Sequence, residues 1–460
     1  MTVTSDLCQR IVETGSADIG PAAMGAARRL VLDGLAVAVA GAREDAVGIL
    51  ADHHRSQGSR PAATVLGLDF KVGTVPAAAL NGAAMHVLDF EPMWSPANHA
   101  LSTTLPAVLA LAEVTEASGA DVLTALVKGT DVQGWARHAS RQWQAEDLAF
   151  HPPGVVGPIG AAVAAGHLLG LDAPALRHAV GIAASRSGGL LANVGTMTKA
   201  THCGEAAASG LEAALLAARG FTAHPDIFDA PRGLADAFFP QGVVADLLRF
   251  GPPFRVVEPG YVIKLFPCQF GTHFGITAAL SVHDQVREPG LITAARLTTP
   301  VMSYVDRPNP ATGMAGKFSL QYTVAAALLD GSVGRSTFTD ERVRQPDVQA
   351  LLPKIELTMS PDIPGRFEDM HVLLEVDTAE GRAIRERCDG PPGTWGSAPI
   401  SDADHLGKVR DCLGGALSDE DVERFVDLAD RFDELPSDGV RQLIELAGRA
   451  RPSLPEARGL

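Results

Sequence analysis

Two hydrophobic rhythms divide the chain. From the start to about Leu265, apolar residues recur at three- and four-residue spacing through alanine-rich stretches such as PAAMGAARRLVLDGLAVAVAG and EAAASGLEAALLAARG, the pattern of buried or amphipathic α-helices. Small residues on those apolar faces let helices approach closely. Gly41, Gly73, Pro106, Gly119 and Gly170 punctuate the pattern and predict helices of about 11 to 18 residues. The charge-free stretch from Gly154 to Leu171 holds several glycines, Pro158 and His167, and reads as a buried helix of a soluble core rather than a membrane span.

Beyond Pro267 the rhythm changes. ARLTTPVMSYV, KIELTMSPD and HVLLEVDTAEGRAIRERC are β-branched, partly alternating runs separated by Gly and Pro, and the stretch from Val376 to Gly381 reads as a hairpin connection. One helical segment, FSLQYTVAAALLDG, lies among them. From Ser401 the helical period returns, with Ser418 and Asp421 placed to cap DVERFVDLADRF. The fold class is therefore mostly α: a large helical domain formed from both chain ends (1–265 and 403–460) and a smaller α+β lid domain (266–402) inserted between them. A cleft between two such domains is a common place for a ligand.

Composition narrows the function. The 460 residues are 46% hydrophobic and 20% charged, ordinary for a folded soluble protein and unlike a disordered or fibrous one. Lys plus Arg number 38 against 54 Asp plus Glu, a net charge of −16 with no basic stripe, which speaks against nucleic-acid binding. The five cysteines form no CxxC pair, so neither a disulfide framework nor a zinc ribbon nor an iron–sulfur centre is signalled, and a reducing cytoplasm suits them. The N-terminal MTVTSDLCQR lacks the apolar core of a signal peptide, and no membrane association is expected. GxGxxG, HExxH and GxSxG are absent, and Gly313–Lys317 is two residues short of a phosphate loop.

Five constellations carry groups capable of chemistry. His86-V-L-Asp89-F-Glu91-P-M-Trp94, with His99 just beyond, runs an alanine-rich helix into a Pro-broken loop dense in acid, aromatic and imidazole. Asp89 there is as suited to orienting a donor or capping a helix as to catalysis. His99 precedes Ser102, Thr103 and Thr104, which can start the helix LPAVLALAE, so its imidazole would stand where anions are favoured. His151 opens the rigid turn HPPG ahead of a glycine-rich helix, a position more often structural. Lys199 and His202, three apart, share a face if both are helical. A snorkelling surface lysine is the plain alternative, yet lysine is scarce here, seven in all. Lys264 lies among Val, Ile, Leu and Phe, with Gln269 and His273 downstream; desolvation there would strengthen its bond to a carboxylate. Arg307, Lys317 and Tyr322 form the last group, and a tyrosine at the start of an apolar helix is usually a core residue with a satisfied hydroxyl. Ammonium and imidazole groups with a few acids, and no activated serine or cysteine, suit a small polycarboxylate and proton transfer beside a carboxylate or carbonyl. Against a charge of −16, the cationic pocket should be compact and enclosed.

At these same residues the sequence resembles the MmgE/PrpD family, which includes 2-methylcitrate dehydratase, cis-aconitate decarboxylase and iminodisuccinate epimerase. The resemblance runs in order through NGAAMHVLDFEPMW, His99, LPAVLALAE, FHPPG, KATHCGEAAASGLEAALLAARGF, IKLFP and KFSLQYTVAAALLDG, across most of the chain. It implies a homodimer, no metal and no organic cofactor, and catalytic groups at Asp89, His99, His151, Lys199, Lys264 and Tyr322. Two departures stand out: Gln269 replaces a histidine of the decarboxylase-like members, and Glu91-Pro92 replaces an acid pair.

The expected function is a cofactor-independent lyase, a dehydratase or decarboxylase, acting on a di- or tricarboxylic acid. Lys199, Lys264 and His202 would bind carboxylates, with Trp94, Gln269, Arg307 and Lys317 as further substrate-binding candidates. His99 or His151 would move the proton, Asp89 would tune a histidine, and Tyr322 would donate a hydrogen bond. An epimerase needs two proton carriers, which His99 with His151 or Lys199 could supply. A non-catalytic carboxylate-binding homologue is the third reading.

Overall fold

The computed structural model describes residues 2–143, 147–286, 288–395 and 399–449, so residues 450–460 of the expected C-terminal return lie outside it. The chain divides into two compact units: Met1–Asn193, Met197–Ile263 and Ser401–Leu460 form one, and Val194–Thr196 with Lys264–Ile400 the other.

The first unit is helical. Its N-terminal part contains α1 (Val3–Glu13), α2 (Ser16–Gly41), α3 (Asp45–Gln57), α4 (Thr74–Val87), α5 (Ala100–Ala112), α6 (Gly119–Ala139), α7 (Pro152–Leu168), α8 (Ala173–Ala184), α9 (Thr198–Ala217) and the short α10 (Leu234–Phe238). Two small ribbons accompany them: β1 (Ala63–Val65) with β2 (Phe70–Val72), and β3 (Met93–Trp94) with β4 (Tyr261–Val262), both antiparallel. Two helices exceed the length expected from the punctuation, α6 with 21 residues and α9 with 20, while α2 is broken near its start by a kink at Gly20, where φ is +75°. Pro106 does not end a helix but sits inside α5, because the helix begins at Ala100, one turn earlier than the Ser-Thr cluster suggested. A proline there removes one N–H, and its cost is tolerated in a helix buried along its whole length.

The centre of this unit is α4, α5, α7 and α9 packed on one another. The α4–α9 crossing depends on glycine. A Cβ on Gly82 would lie 2.8 Å from the Gly204 Cα, and one on Gly204 would lie 2.2 Å from the Ala79 carbonyl. With no side chain at either position the backbones meet directly, which brings the end of α4 against the start of α9.

In the second unit, α11 (Phe270–Gln285) leads into β5 (Ile292–Pro300), followed by α12 (Gly313–Gly316), α13 (Leu320–Asp330), α14 (Asp340–Val343), α15 (Pro346–Leu351), β6 (Ile355–Ser360), β7 (Val372–Thr378) and β8 (Ala383–Cys388). The sheet order is β6-β5-β7-β8, with β5 and β6 parallel and the other pairs antiparallel. In β7, Val372, Leu374, Val376 and Thr378 are buried in alternation, one face covered as period-two patterning requires. Helix α11 packs on β7, β8 and α13.

The chain then returns to the first unit as α16 (Asp402–Leu413), α17 (Asp419–Asp430) and α18 (Ser437–Gly448), with α16 packed on α2. Ser418 caps α17 by accepting from the Asp421 N–H. Mostly α with a small mixed sheet is the fold class that the two hydrophobic rhythms predicted.

Candidate active site

Where α4 meets α9, seven polar side chains gather in the first unit: His86, Asp89, Glu91, His99, His151, Lys199 and His202. Their positions follow from helix ends. His86 is the penultimate residue of α4, one turn beyond Gly82, and Lys199 and His202 lie in the first two turns of α9 before Gly204. His99 is the N-cap of α5 and His151 the N-cap of α7, and neither uses its side chain as a cap. Three helix N-termini, those of α5, α7 and α9, thus place an imidazole or an ammonium in one cluster. Their unpaired N–H groups and dipoles favour negative charge.

The hydrogen bonds fix the protonation of one ring. Lys199 Nζ lies 2.8 Å from His86 Nε2 and 2.8 Å from Asp89 Oδ2. An ammonium only donates, so His86 Nε2 accepts, and its Nδ1 carries the proton that it donates to Glu91 Oε1. Glu91 Oε1 also accepts from the Ser102 hydroxyl at 3.1 Å and lies 2.9 Å from His99 Nδ1, though off the line of a well-formed hydrogen bond. Glu91 Oε2 is buried without a hydrogen-bond partner among the described residues. His99 Nε2 faces Asp89 Oδ1 at 4.0 Å. His151 and His202 meet through their Nδ1 atoms at 3.2 Å, which requires one to donate and the other to accept. The ring centroids of His86 and His99 are 4.4 Å apart, and those of His99 and His151 5.9 Å.

Burial sorts the cluster into two tiers. Glu91 is 0% exposed and His86 1%, whereas His99, His151, Lys199 and His202 keep 5 to 9%. The second set keeps some accessible surface; the first keeps almost none. Asp89 turns the chain between the tiers with φ of +51°, a conformation unusual for a residue with a side chain and held here by the Asp89 N–H to His86 carbonyl bond.

Electrostatics follow from that enclosure. Desolvation, aided by Lys199, pushes His86 down to about 3, and the same causes hold His151 well below the ordinary imidazole value. His99 is lowered chiefly by desolvation, against the raising effect of Glu91, and His202 by desolvation and Lys199. Glu91 is held well below the usual carboxylate range by His86 and His99 in spite of its burial. At neutral pH the rings are uncharged, so Asp89 and Glu91 face the single ammonium of Lys199. Cys203, beside this group on α9, has its thiol pushed up by burial and is an inert packing residue.

Two triplets have the donor types of a metal centre, His86, His99 and His151, and Asp89, Glu91 and His99, with ligand atoms within 4.8 Å of one another. The Lys199 ammonium, bonded to a member of each triplet, already supplies a cation there.

Of the residues singled out in the sequence, Asp89, His99, His151, Lys199 and His202 come together. His86 and Glu91 were noticed in the same motif but given no role; their signal was a histidine and an acid flanking Asp89. Trp94 is 1% exposed in β3 with its ring against Tyr261, centroids 5.5 Å apart, so its surface is taken up by packing. Lys264, Gln269, Arg307, Lys317 and Tyr322 belong to the second unit. There Lys264 is fully buried and donates to the Cys268 carbonyl at 3.2 Å. Gln269 is the N-cap of α11 and donates to the Tyr304 hydroxyl at 2.9 Å. Arg307 donates to the carbonyls of Tyr304 and Val194, and Lys317 is buried. Tyr322 is 0% exposed and its hydroxyl donates to the Thr337 carbonyl, the arrangement that the core reading of that tyrosine expects.

The cluster joins neutral imidazoles, two carboxylates and an ammonium, groups able to exchange a proton and to hold an anion, and comparison with known proteins places the chain in a family. Residues 5–245 match the MmgE/PrpD N-terminal domain and residues 266–434 the MmgE/PrpD C-terminal domain. The chain belongs to the MmgE/PrpD family. It is 32% identical over 421 residues to cis-aconitate decarboxylase of Mus musculus, covering 89% of this chain and 86% of the relative. Cis-aconitate decarboxylase of Aspergillus terreus is 27% identical over 481 aligned positions, 96% of this chain and 95% of the relative. The 2-methylcitrate dehydratase of Escherichia coli K12 is 25% identical over 334 residues, 66% of this chain and 67% of the relative. These relatives are enzymes, and this chain is an enzyme of the same family. No helix among the described residues is long and apolar enough to cross a membrane.

Proposed function

We propose that the protein is a lyase acting on a small tricarboxylic acid, without metal or organic cofactor, by proton transfer next to a carboxylate. The observation that carries this reading is the meeting of Lys199, His99, His151 and His202 at three helix N-termini, an anion cradle furnished with neutral bases. The names of the relatives, a decarboxylase and a dehydratase of tricarboxylic acids, support it.

One substrate carboxylate takes the Lys199 ammonium and the free N–H groups of the helix ends. His99, neutral and with Nε2 directed away from Glu91, accepts the proton from the carbon next to that carboxylate. The negative charge that develops on the carboxylate is stabilised by Lys199, a preorganised contribution of about 3 kcal/mol for a well-placed donor. In dehydration, the His151–His202 pair, which takes up a proton from solvent together with the anionic substrate, delivers it to the departing hydroxide, giving an alkene and water. Decarboxylation needs no prior abstraction by His99: the electrons of the broken C–C bond pass to the carbon skeleton, which takes one proton from the protonated His151–His202 pair as carbon dioxide leaves. Glu91 holds the Nδ1 proton of His86, and His86 in turn fixes Lys199. Lys264 is a further candidate carboxylate ligand on its chemistry, and a homodimer is the proposed assembly.

An epimerase is the second reading, favoured by one observation: His99 and the His151–His202 pair are separate proton carriers with ring centroids 5.9 Å apart. Proton NMR in D2O with cis-aconitate, 2-methylcitrate, citrate, iminodisuccinate and simple dicarboxylates distinguishes the readings. Deuterium uptake with a new alkene or a lost carboxyl is the expected result. Exchange with no new compound establishes the epimerase, and neither change with any acid overturns both.

A further inference from the structure

Directly behind the Asp89–Glu91 turn lies a second buried ionic group, assembled from the two ends of the chain. Asp33 on α2 is fully buried. Lys408 on α16 places its Nζ 2.8 Å from Asp33 Oδ1 and 3.1 Å from Oδ2. The same ammonium donates to the Phe90 carbonyl at 2.8 Å and stands 4.1 Å from the centre of the Phe90 ring. His405, one turn before Lys408, contributes Nε2 at 3.1 Å from Asp33 Oδ1, and Arg29 Nε donates to its Nδ1 at 3.2 Å. Since Arg29 can only donate, His405 Nδ1 accepts and Nε2–H points at Asp33, which fixes the tautomer.

Phe90 is the residue between the two site carboxylates. Asp89 on one side has φ of +51° and reaches Lys199, while Glu91 on the other reaches His86. A turn in that conformation persists only where its surroundings over-determine it, and the one carbonyl inside it is anchored from behind by a buried ammonium.

We propose that Asp33, His405 and Lys408 are positioning residues of the active site: Asp33 holds the Lys408 ammonium on the Phe90 carbonyl, and this sets the directions in which Asp89 and Glu91 present their carboxylates. The inference rests on the reading of the cluster as the site of proton transfer. It makes the C-terminal return a working part of that site, although no residue of it belongs to the imidazole cluster.

Replacing Lys408 alone strands a buried carboxylate, so the double variant Asp33→Asn/Lys408→Met, which removes both charges while keeping side-chain volume, carries the test. With a native circular dichroism spectrum, this variant is expected to lose about tenfold to a hundredfold in kcat with KM within about threefold, the signature of misplaced reacting groups rather than lost binding. Lys408→Arg, which keeps the charge, is expected to recover part of the loss. Imidazole 15N NMR of the full chain gives a second readout that needs no substrate: the His86 signals, Nδ1 protonated and Nε2 accepting, are expected to shift in the double variant. A folded double variant with the kcat of the unaltered enzyme and unshifted His86 signals overturns the proposal. If Lys199→Met also leaves turnover intact, the reading of the site itself has failed, and the His86 signals still report on the positioning.

Discussion

The helical unit buries two ionic groups against the same three-residue turn, and they are built to opposite standards. In the Asp33–His405–Lys408 group both carboxylate oxygens have partners, one acid faces one ammonium, and the imidazole tautomer is fixed by Arg29. In the His86–Glu91–Lys199 group, Glu91 Oε2 has no partner among the described residues, two acids face one ammonium, and four imidazoles crowd within ring contact of one another. Burial is nearly the same in both, so the difference is in satisfaction. A complete network holds structure in place, whereas open acceptors and neutral bases in a dry site leave capacity for a ligand and a proton.

The largest effect that tests this contrast is loss of the ammonium on the open side. Lys199→Met is expected to lower kcat/KM by about a hundredfold to a thousandfold, the usual cost of removing one preorganised donor. His99→Gln, which keeps a polar group but no base, is expected to lose about a hundredfold or more. Steady-state kinetics on the substrate found by NMR, with melting temperatures recorded alongside, check both. Losses of this size from the closed group and none from the open one would invert the comparison.

Acid stability gives the next largest effect. His86 is pushed down to about 3 and His151 well below 6.5, so below pH 6.5 the unfolded chain binds protons that the folded protein refuses. Stability contributed by these rings is complete above 6.5 and lost as the pH falls from there toward 3. Asp131, elsewhere in this unit, is pushed up to about 7 by desolvation and works the other way: its folded form gains stability as the pH falls through about 7 toward 3.8. Two deeply lowered imidazoles outweigh one raised carboxyl, so the melting temperature is expected to drop between pH 6.5 and 4.5. His86→Gln is expected to flatten that slope, and an unchanged slope would deny that His86 is buried neutral.

How much of this was readable beforehand depended on distance along the chain. Local signals served well: the period of α4, α7 and α9, the caps, the helix terminus at His99 and the shared face of Lys199 and His202 all arise from neighbours within a turn or two. Even there, the start of α5 was read one turn late because a Ser-Thr cluster and Pro106 imitate a boundary. Glu91 lay in view beside Asp89, yet its role depends on His99 and His86 meeting it from two helices. The Asp33–Lys408 pair spans 375 residues, and no local pattern marks either partner. Tyr322 carried two readings, a donor to substrate from the family resemblance and a core residue from the local pattern, and its burial with a bond to the Thr337 carbonyl agrees with the second.

Tyr322 supplies a smaller and sharper test. Burial pushes its phenol up, and its proton is committed to the Thr337 carbonyl. Tyr322→Phe leaves that carbonyl unsatisfied and is expected to cost about 1 to 3 kcal/mol of stability, with kcat changed less than about threefold. Denaturant unfolding paired with kinetics measures both. A hundredfold loss of kcat without loss of stability would return the hydroxyl to the catalytic set.

The smallest effect concerns Gln269, which stands where decarboxylase-like relatives were expected to carry a histidine. Here its side chain accepts from the Thr272 N–H at the start of α11 and donates to the Tyr304 hydroxyl at 2.9 Å, so it works as a cap and a brace. Gln269→His restores a titratable ring but removes the amide oxygen that caps the helix, and its cost is expected near 1 kcal/mol of stability. If proton transfer belongs to His99, His151 and His202, the new imidazole adds nothing, and kcat with its pH profile should stay within about twofold of the unaltered enzyme. A rise of tenfold or more in turnover, with a new limb near pH 6.5 in the rate profile, would mean that the imidazole cluster is short of one acid and that position 269 is where relatives supply it.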